Sequence, residues 1–391
     1  MECVVPVRLA APGTGQGFPV PCNLLQSPPM GRTDTPDAKK PSARKHRGVV
    51  TIHDVARRAG VSPMTVSRVV NGEKNVRPAT RAAVMSAVKA LNYAPNPAAR
   101  TLAGAEAARI GLIYANPSAA YLTELLVGAL DESSRTSVQI MLEKCEVTSG
   151  AAERAAVRKL VASGAAGVIL PPPLCESEDV LEELKQAGLP TVAVASGRFS
   201  AEASCVRIND YAAAYEMTNY LLDLGHRRIG FIRGHPNQTA SSERERGFGA
   251  ALADAGHKGD PSLVVQGYYS YRSGLDAAET LLTRRALPSA IFASNDDMAA
   301  AVVSVAHRKG LDVPGDLSVV GFDDTSIATT IWPELTTIRQ PITAMAEIAL
   351  DLIVRAIRSH KRNGDEPMKP VDHLVTYSLV KRSSAAAPKE A

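Results

Sequence analysis

From Arg109 onward the chain alternates short apolar runs with amphipathic stretches, and this alternation leaves few folds open. Strands are expected at 109–115, 137–142, 167–170, 190–195, 228–233, 262–266, 289–293 and 317–322. Helices are expected between them, at 119–134, 151–163, 211–224, 242–256, 274–285, 295–309 and 341–359. Such alternation requires parallel sheets with helices on both faces, because each parallel crossover carries its helix back over the sheet. The strands are too many for one half-sheet, so two lobes joined by crossovers are expected. Ligands in open parallel sheets bind beyond the carboxyl ends of the strands, which places the expected site in the cleft between the lobes.

The stretch before this body has a different pattern. Thr51 can cap a helix whose apolar positions Ile52, Val55, Ala56 and Ala59 follow the spacing of one buried face. Gly60 breaks the pattern, Ser62 stands where an N-cap belongs, and Pro63 fits a first helical position, where a missing N–H costs nothing. A third helix carrying Val84, Val88 and Leu91 would close a small core. Two short helices across a Gly-containing turn form a helix-turn-helix, whose second helix enters the DNA major groove. Pro63, Met64 and Arg68 are expected on the exposed face of that helix, with Val66 and Val70 inward and Thr65 a further DNA-binding candidate. Arg68 is suited to a bidentate contact with guanine; Pro63 and Met64 would read shape or a thymine methyl. Thr51, Ser67 and Asn71 would hold phosphates.

Charge divides the chain in the same way. Residues 49–104 hold eight Lys and Arg against two Asp and Glu, and the first 48 hold seven against three. The remainder, 105–391, holds 29 basic and 35 acidic groups, so a basic head precedes an acidic body. That is the footprint of a protein that touches phosphate with one end. A helical bundle with a solvated basic face would show the same charge.

Residues 1–48 are rich in Pro and Gly and end in the basic run Lys39, Lys40, Arg44, Lys45 and Arg47. Two readings stand for them: a disordered basic tail, or translation from Met30 with a shorter one. No run is apolar enough for a signal sequence or a membrane span. Five scattered cysteines without a CxxC pair fit a reduced cytoplasmic protein with no metal and no cofactor. GxSxG, HExxH and Walker motifs are missing, which counts against an enzyme.

The runs DVARRAGVSPMTVSRVVNG, LNYAPN and ARTLAG closely resemble the DNA-binding head of the lac repressor family of bacterial transcription regulators. The resemblance continues through VVGFDDT and WPELTTIRQP to SLVKR, and so covers residues 50–382. It implies an all-α helix-turn-helix head at 49–95 and a hinge helix at 96–106. A two-lobed α/β body at 107–382 would resemble periplasmic binding proteins, with two parallel sheets covered on both faces. Residues 383–391, SSAAAPKEA, are expected to be a disordered tail; with no leucine heptad there, a homodimer is expected rather than a tetramer.

By composition the hinge is a plain linker with one large apolar side chain, Leu102; by resemblance Leu102 wedges into a minor-groove base step. The resemblance also implies that Arg244, Asn295 and Asp323 hold the hydroxyls of a sugar or sugar-like effector, with Asn116, Ser118, Tyr121 and Gln340 as further candidates. Read by themselves, Asn295 is an N-cap, Asp323 a turn former and Arg244 a surface charge. Trp332 could stack on a sugar face or pack between lobes. Ala195 stands where the lac repressor would have an aspartate, which argues against a lactose-like effector. The implied function is a DNA-binding repressor acting on a near-palindromic double-stranded operator. A co-repressor in place of an inducer, a two-lobed α/β enzyme and a sugar-binding protein are the alternatives; the head separates the last two from the first.

Overall fold

A computed structural model of the chain describes residues 50–70, 76–93, 107–145, 149–363 and 369–389. Asn71, Leu102, the expected hinge and the expected N-terminal tail lie outside the described residues. The chain divides into two compact units, Met1–Asn96 and Pro97–Ala391.

In the first unit, α1 (Ile52–Ala59), α2 (Pro63–Val70) and α3 (Pro78–Ala90) enclose a core of Val55, Ala56, Val66, Val69, Val84 and Ala87. These side chains are small and branched, so the short helices can approach closely. Asp54 closes the start of α1 by accepting from the backbone N–H of Thr51 at 2.9 Å and from its hydroxyl at 2.7 Å. Gly60 ends α1 in the left-handed conformation at φ 66°, where a Cβ would be strained. Ser62 accepts from the Thr65 N–H at 3.2 Å at the start of α2. Val69, not Val70, is the second fully buried valine of α2; Val70 is half-buried at the edge of the core.

In the second unit, the first lobe runs β1 (Arg109–Tyr114), α4 (Ala119–Thr136), β2 (Gln139–Lys144), α5 (Gly150–Ala162), β3 (Ala165–Leu170), α6 (Glu178–Gln186), β4 (Thr191–Val194) and β5 (Ser204–Arg207). The second lobe runs α7 (Asp210–Asp223), β6 (Ile229–Ile232), α8 (Thr239–Asp254), β7 (Val264–Val265), α9 (Tyr271–Leu282), β8 (Ala290–Ala293), α10 (Asp296–Arg308), β9 (Ser318–Val320) and α11 (Ile327–Thr330). The chain then forms β10 (Thr337–Arg339), α12 (Ile342–Asn363), β11 (Asp372–Leu374) and β12 (Ser378–Val380). Helix α12 returns to the first lobe and packs on α4 and β3–β5.

The two sheets have strand orders β11-β5-β4-β3-β1-β2 and β7-β6-β8-β9, and all pairs within them are parallel. A separate antiparallel pair, β10 with β12, lies where the chain crosses between lobes. In each sheet the order reverses beside the first strand, between β1 and β3 and between β6 and β8. Crossover helices leave on opposite faces there, opening a crevice at the strand ends. Apolar packing is continuous through both lobes, with Ile110 and Leu112 in the same cluster as Phe231, Phe292, Phe322 and Met345.

The expected strands are present, with β5, β10, β11 and β12 in addition. The last three are only three residues long, too short to show alternation. Residues 383–389 are not a disordered tail. Ser384 is fully buried; its hydroxyl donates to the Val319 carbonyl at 2.5 Å, and its carbonyl accepts from the Val319 N–H at 2.8 Å. His226 Nε2 lies 2.8 Å from the Ala386 carbonyl. The segment has no large apolar side chain to announce it, because backbone groups hold it along the edge of β9. Among the described residues no helix is long and apolar enough to cross a membrane.

Candidate functional site

The carboxyl ends of seven strands supply the cleft. Asn116 lies just beyond β1, Pro172 beyond β3, Ala195 beyond β4, Gln238 beyond β6, Tyr269 beyond β7, Asn295 beyond β8 and Asp323 beyond β9. With Ser118, Tyr121, Ala240, Arg244 and Gln340 they line one cavity of about 30 Å³. All seven expected effector residues are therefore brought together, and Ala195 lies among them. Pro172, Gln238, Ala240 and Tyr269 are additions; the strand-end rule, applied to every strand, would have found all but Ala240, which lies on α8.

Arg244 is no surface charge. It is 4% exposed on α8, where Nε donates to Asp210 Oδ1 at 2.8 Å and a terminal nitrogen donates to the Ser294 carbonyl at 2.5 Å. Its guanidinium lies 3.6 Å from the centroid of the Phe322 ring, and Asp323 Oδ1 is 3.9 Å away. Planar delocalised charge suits such a site, since it stacks on one face and donates at the edge. Burial pulls the guanidinium down, but Tyr269, Asp210 and Asp323 together hold it above its ordinary value.

Asp323 accepts from Gln340 Nε2 at 2.7 Å and has φ 109°, an unusual conformation for a residue with a Cβ. Its N–H donates to the Ile338 carbonyl at 2.8 Å, so the crossover segment holds it there. Burial raises its carboxyl to about 7, against the opposing pull of Arg244. Burial likewise raises Asp210, also against Arg244. Asn295 caps α10 by accepting from the Met298 N–H at 3.1 Å, and donates to the Tyr269 carbonyl at 3.0 Å. Its reading as an N-cap and its place in the cleft are both correct.

From the first lobe, Asn116 accepts from the Ser118 N–H at 2.8 Å, and Ser118 caps α4. The Ser118 hydroxyl donates across the cleft to Asp297 Oδ2 at 2.6 Å. Tyr121 Oη and Gln340 Oε1 are buried without a hydrogen-bond partner among the described residues. Buried polar atoms of this kind need an outside partner. A cavity of 30 Å³ holds about one water, whereas ligand pockets span about 300–1,000 Å³, so the lobes must part to admit a ligand. Trp332 takes neither of its expected roles: it is 78% exposed, outside the cleft and the interlobe core. Among the described residues no cluster of His, Cys, Asp and Glu is placed to hold a metal ion.

On the helix-turn-helix head, Met64 (64% exposed) and Arg68 project from α2 into solvent, while Pro63, Thr65 and Ser67 are half-buried. The Thr65 hydroxyl is 2.9 Å from that of Ser62. Thr51, with its one hydroxyl proton given to Asp54, serves the helix start.

Residues 51–96 match the model for bacterial regulatory proteins of the lacI family, and residues 218–385 match a periplasmic binding protein-like domain. Catabolite control protein A of Priestia megaterium is 33% identical over 329 residues, 84% of this chain and 98% of that protein. The HTH-type transcriptional regulator GalR of Escherichia coli (strain K12) is 31% identical over 341 residues, 87% of this chain and 97% of that one. Among solved structures, the transcriptional regulator CelR–cellobiose complex is similar at 30% identity and TM-score 0.64, covering 86% of this chain and 99% of that chain. The lac repressor dimer bound to operator and the anti-inducer ONPF is similar at 27% identity and TM-score 0.64, covering 87% and 100%.

Proposed function

The chain belongs to the lacI family of bacterial regulatory proteins, and from that premise we propose a dimeric repressor released from its operator by a small sugar-like effector bound between the lobes. Binding DNA and regulating transcription come with membership; the effector class, its sign and the dimer are this proposal. One observation carries it: the cleft gathers a stacked guanidinium, a buried carboxylate, four amides and two tyrosines, on the chain that bears the head. Directional donors and acceptors without a dominant net charge suit the adjacent hydroxyls of a neutral sugar. Such a protein works in the cytoplasm, where its DNA is, and needs no catalytic group.

In this reading the heads of a dimer place α2 in two half-sites of a near-palindrome, and Leu102 and its partner copy bend the centre. Arg68 reads guanine, Met64 and Pro63 read shape, and Ser67 and Asn71 hold phosphates. The effector changes the angle between the lobes and so shifts the population away from the DNA-bound state. A thermal-shift screen of neutral sugars, starting with cellobiose, tests the cleft: a ligand at a hundred times its Kd adds roughly 2.7 kcal/mol. That shift is expected in the wild type and absent in Arg244→Ala; a shift that survives in the variant overturns the assignment. An operator selected from random DNA with the full chain then gives the sign. Arg244→Ala stays bound in the presence of an inducer, but fails to bind at all if the effector is a co-repressor.

A further inference from the structure

Helix α8 carries Arg244 into the cleft, yet its own N-cap residue, Gln238, makes no side-chain capping bond. The missing acceptor comes from the other lobe. Glu176, in the loop after β3, accepts from the Thr239 backbone N–H at 2.7 Å and from the Thr239 hydroxyl. The same carboxylate accepts from the Ser196 hydroxyl at 2.6 Å and the Gly197 N–H at 3.2 Å, which fixes it to the loop after β4. Here the lobes touch backbone to backbone. A Cβ on Gly197 would lie 2.3 Å from the Ala240 nitrogen and 2.5 Å from the Thr239 carbonyl carbon, so only glycine allows this approach. One residue on, Arg198 places Nε and a terminal nitrogen 2.7 Å from Glu243 Oε1, on the same helix.

We infer that Glu176 is a positioning residue: it caps α8 from the opposite lobe, and this clasp sets the lobe closure that places Arg244. The inference rests on the cleft being the effector site, since closure matters to function only there. Neither Glu176 nor Thr239 lines the cleft cavity, so neither substitution removes a side chain that faces it. A carboxylate at a helix N-terminus is favourable both as an acceptor for orphan N–H groups and against the helix dipole. When the lobes part, the first turn of α8 loses that acceptor. The clasp therefore makes closure favourable in the absence of ligand, and any effector that opens the cleft must compete with it.

Thr239 is the first residue of α8, and Gln238 before it is extended at φ −118°, ψ 123°. Proline is tolerated at a first helical position after an extended residue, so Thr239→Pro removes both clasp donors and keeps the helix. Hydrogen exchange of the full chain, with no small molecule added, tests the clasp against a local cap. The informative peptides cover 116–122 and 295–298, around the Ser118–Asp297 contact across the cleft. Loss of one cap is expected to raise their exchange roughly tenfold in Thr239→Pro and Glu176→Ala. Glu176→Gln, which keeps one acceptor oxygen, should fall between, and β8 should stay unchanged. If a larger change disturbs β8, Glu176→Gln carries the test: faster exchange at 116–122 supports the clasp and wild-type exchange overturns it. A change confined to the first turn of α8, or none, also overturns it. Such a result leaves the effector reading intact, and a failed sugar screen leaves the clasp intact.

Discussion

The two lobes present very different halves of one cleft. The second lobe brings buried charge already committed to partners: Arg244 bonded to Asp210 and Ser294 and stacked on Phe322, and Asp323 bonded to Gln340. The first lobe brings neutral groups on strand ends and one helix start: Asn116, Ser118, Tyr121, Pro172 and Ala195. Buried charges cannot be exchanged one at a time, because removing one strands another in low dielectric. Neutral strand-end residues can be exchanged singly at small cost. On the proposed function, the second lobe is thus the fixed half of the cleft, and the first lobe is the half that can retune which ligand fits.

The largest expected effect comes from breaking the fixed half. Arg244→Ala leaves Asp210 and Asp323 facing each other without a cation, and should lower unfolding free energy by about 3–5 kcal/mol in denaturant titrations. A loss below about 1 kcal/mol would show that the second lobe is no more committed than the first.

The pH dependence of stability is expected to come next, and it also resides in the second lobe. Asp323 is raised to about 7 in the folded chain, against about 3.9 unfolded. The folded state therefore holds the extra proton between those values, so stability falls as pH rises through that window, by an amount on the order of a few kcal/mol, and levels off above it. Asp323→Asn should flatten the part of the urea-midpoint profile nearest pH 7. Asp210, Asp296 and Asp297 are also raised by burial, so each adds a slope of the same sign that Asp323→Asn leaves in place. An unchanged profile would place the titration elsewhere.

The first lobe should show smaller effects. Ser118→Ala removes the cap of α4 and the bond to Asp297, and should cost about 1 kcal/mol. Smallest in stability, and most telling for ligand choice, is Ala195→Asn. Ala195 has φ 55°, a conformation asparagine tolerates better than alanine, and the change adds an uncharged acceptor to the neutral half. Its thermal midpoint should stay close to the wild type while its ranking of sugars in the thermal-shift screen changes. An unchanged ranking would remove the first lobe from specificity.

Periodicity and strand-end position were enough to read most of this molecule from residues alone. The apolar faces of α1–α3, the Gly60 turn and the parallel alternation after Arg109 depend on spacings within a few residues, which the sequence displays directly. Asn295 and Asp323 each follow an apolar run directly, where the strand-end rule looks, yet by themselves they read as an N-cap and a turn former. The family resemblance singled them out as ligand groups, together with Arg244. What the tertiary structure alone decided are the contacts between residues far apart in the chain. Arg244 meets Asp210 at a separation of 34 residues, Ser118 meets Asp297 at 179, and Glu176 meets Thr239 at 63. Nothing local to Arg244 distinguishes a surface charge from a buried, stacked one. The same is true of SSAAAPKEA, where small residues that look like a loose end find unpaired backbone groups along β9. Burial and hydrogen bonding at such positions depend on which distant groups the fold delivers, and a local pattern carries no information about those.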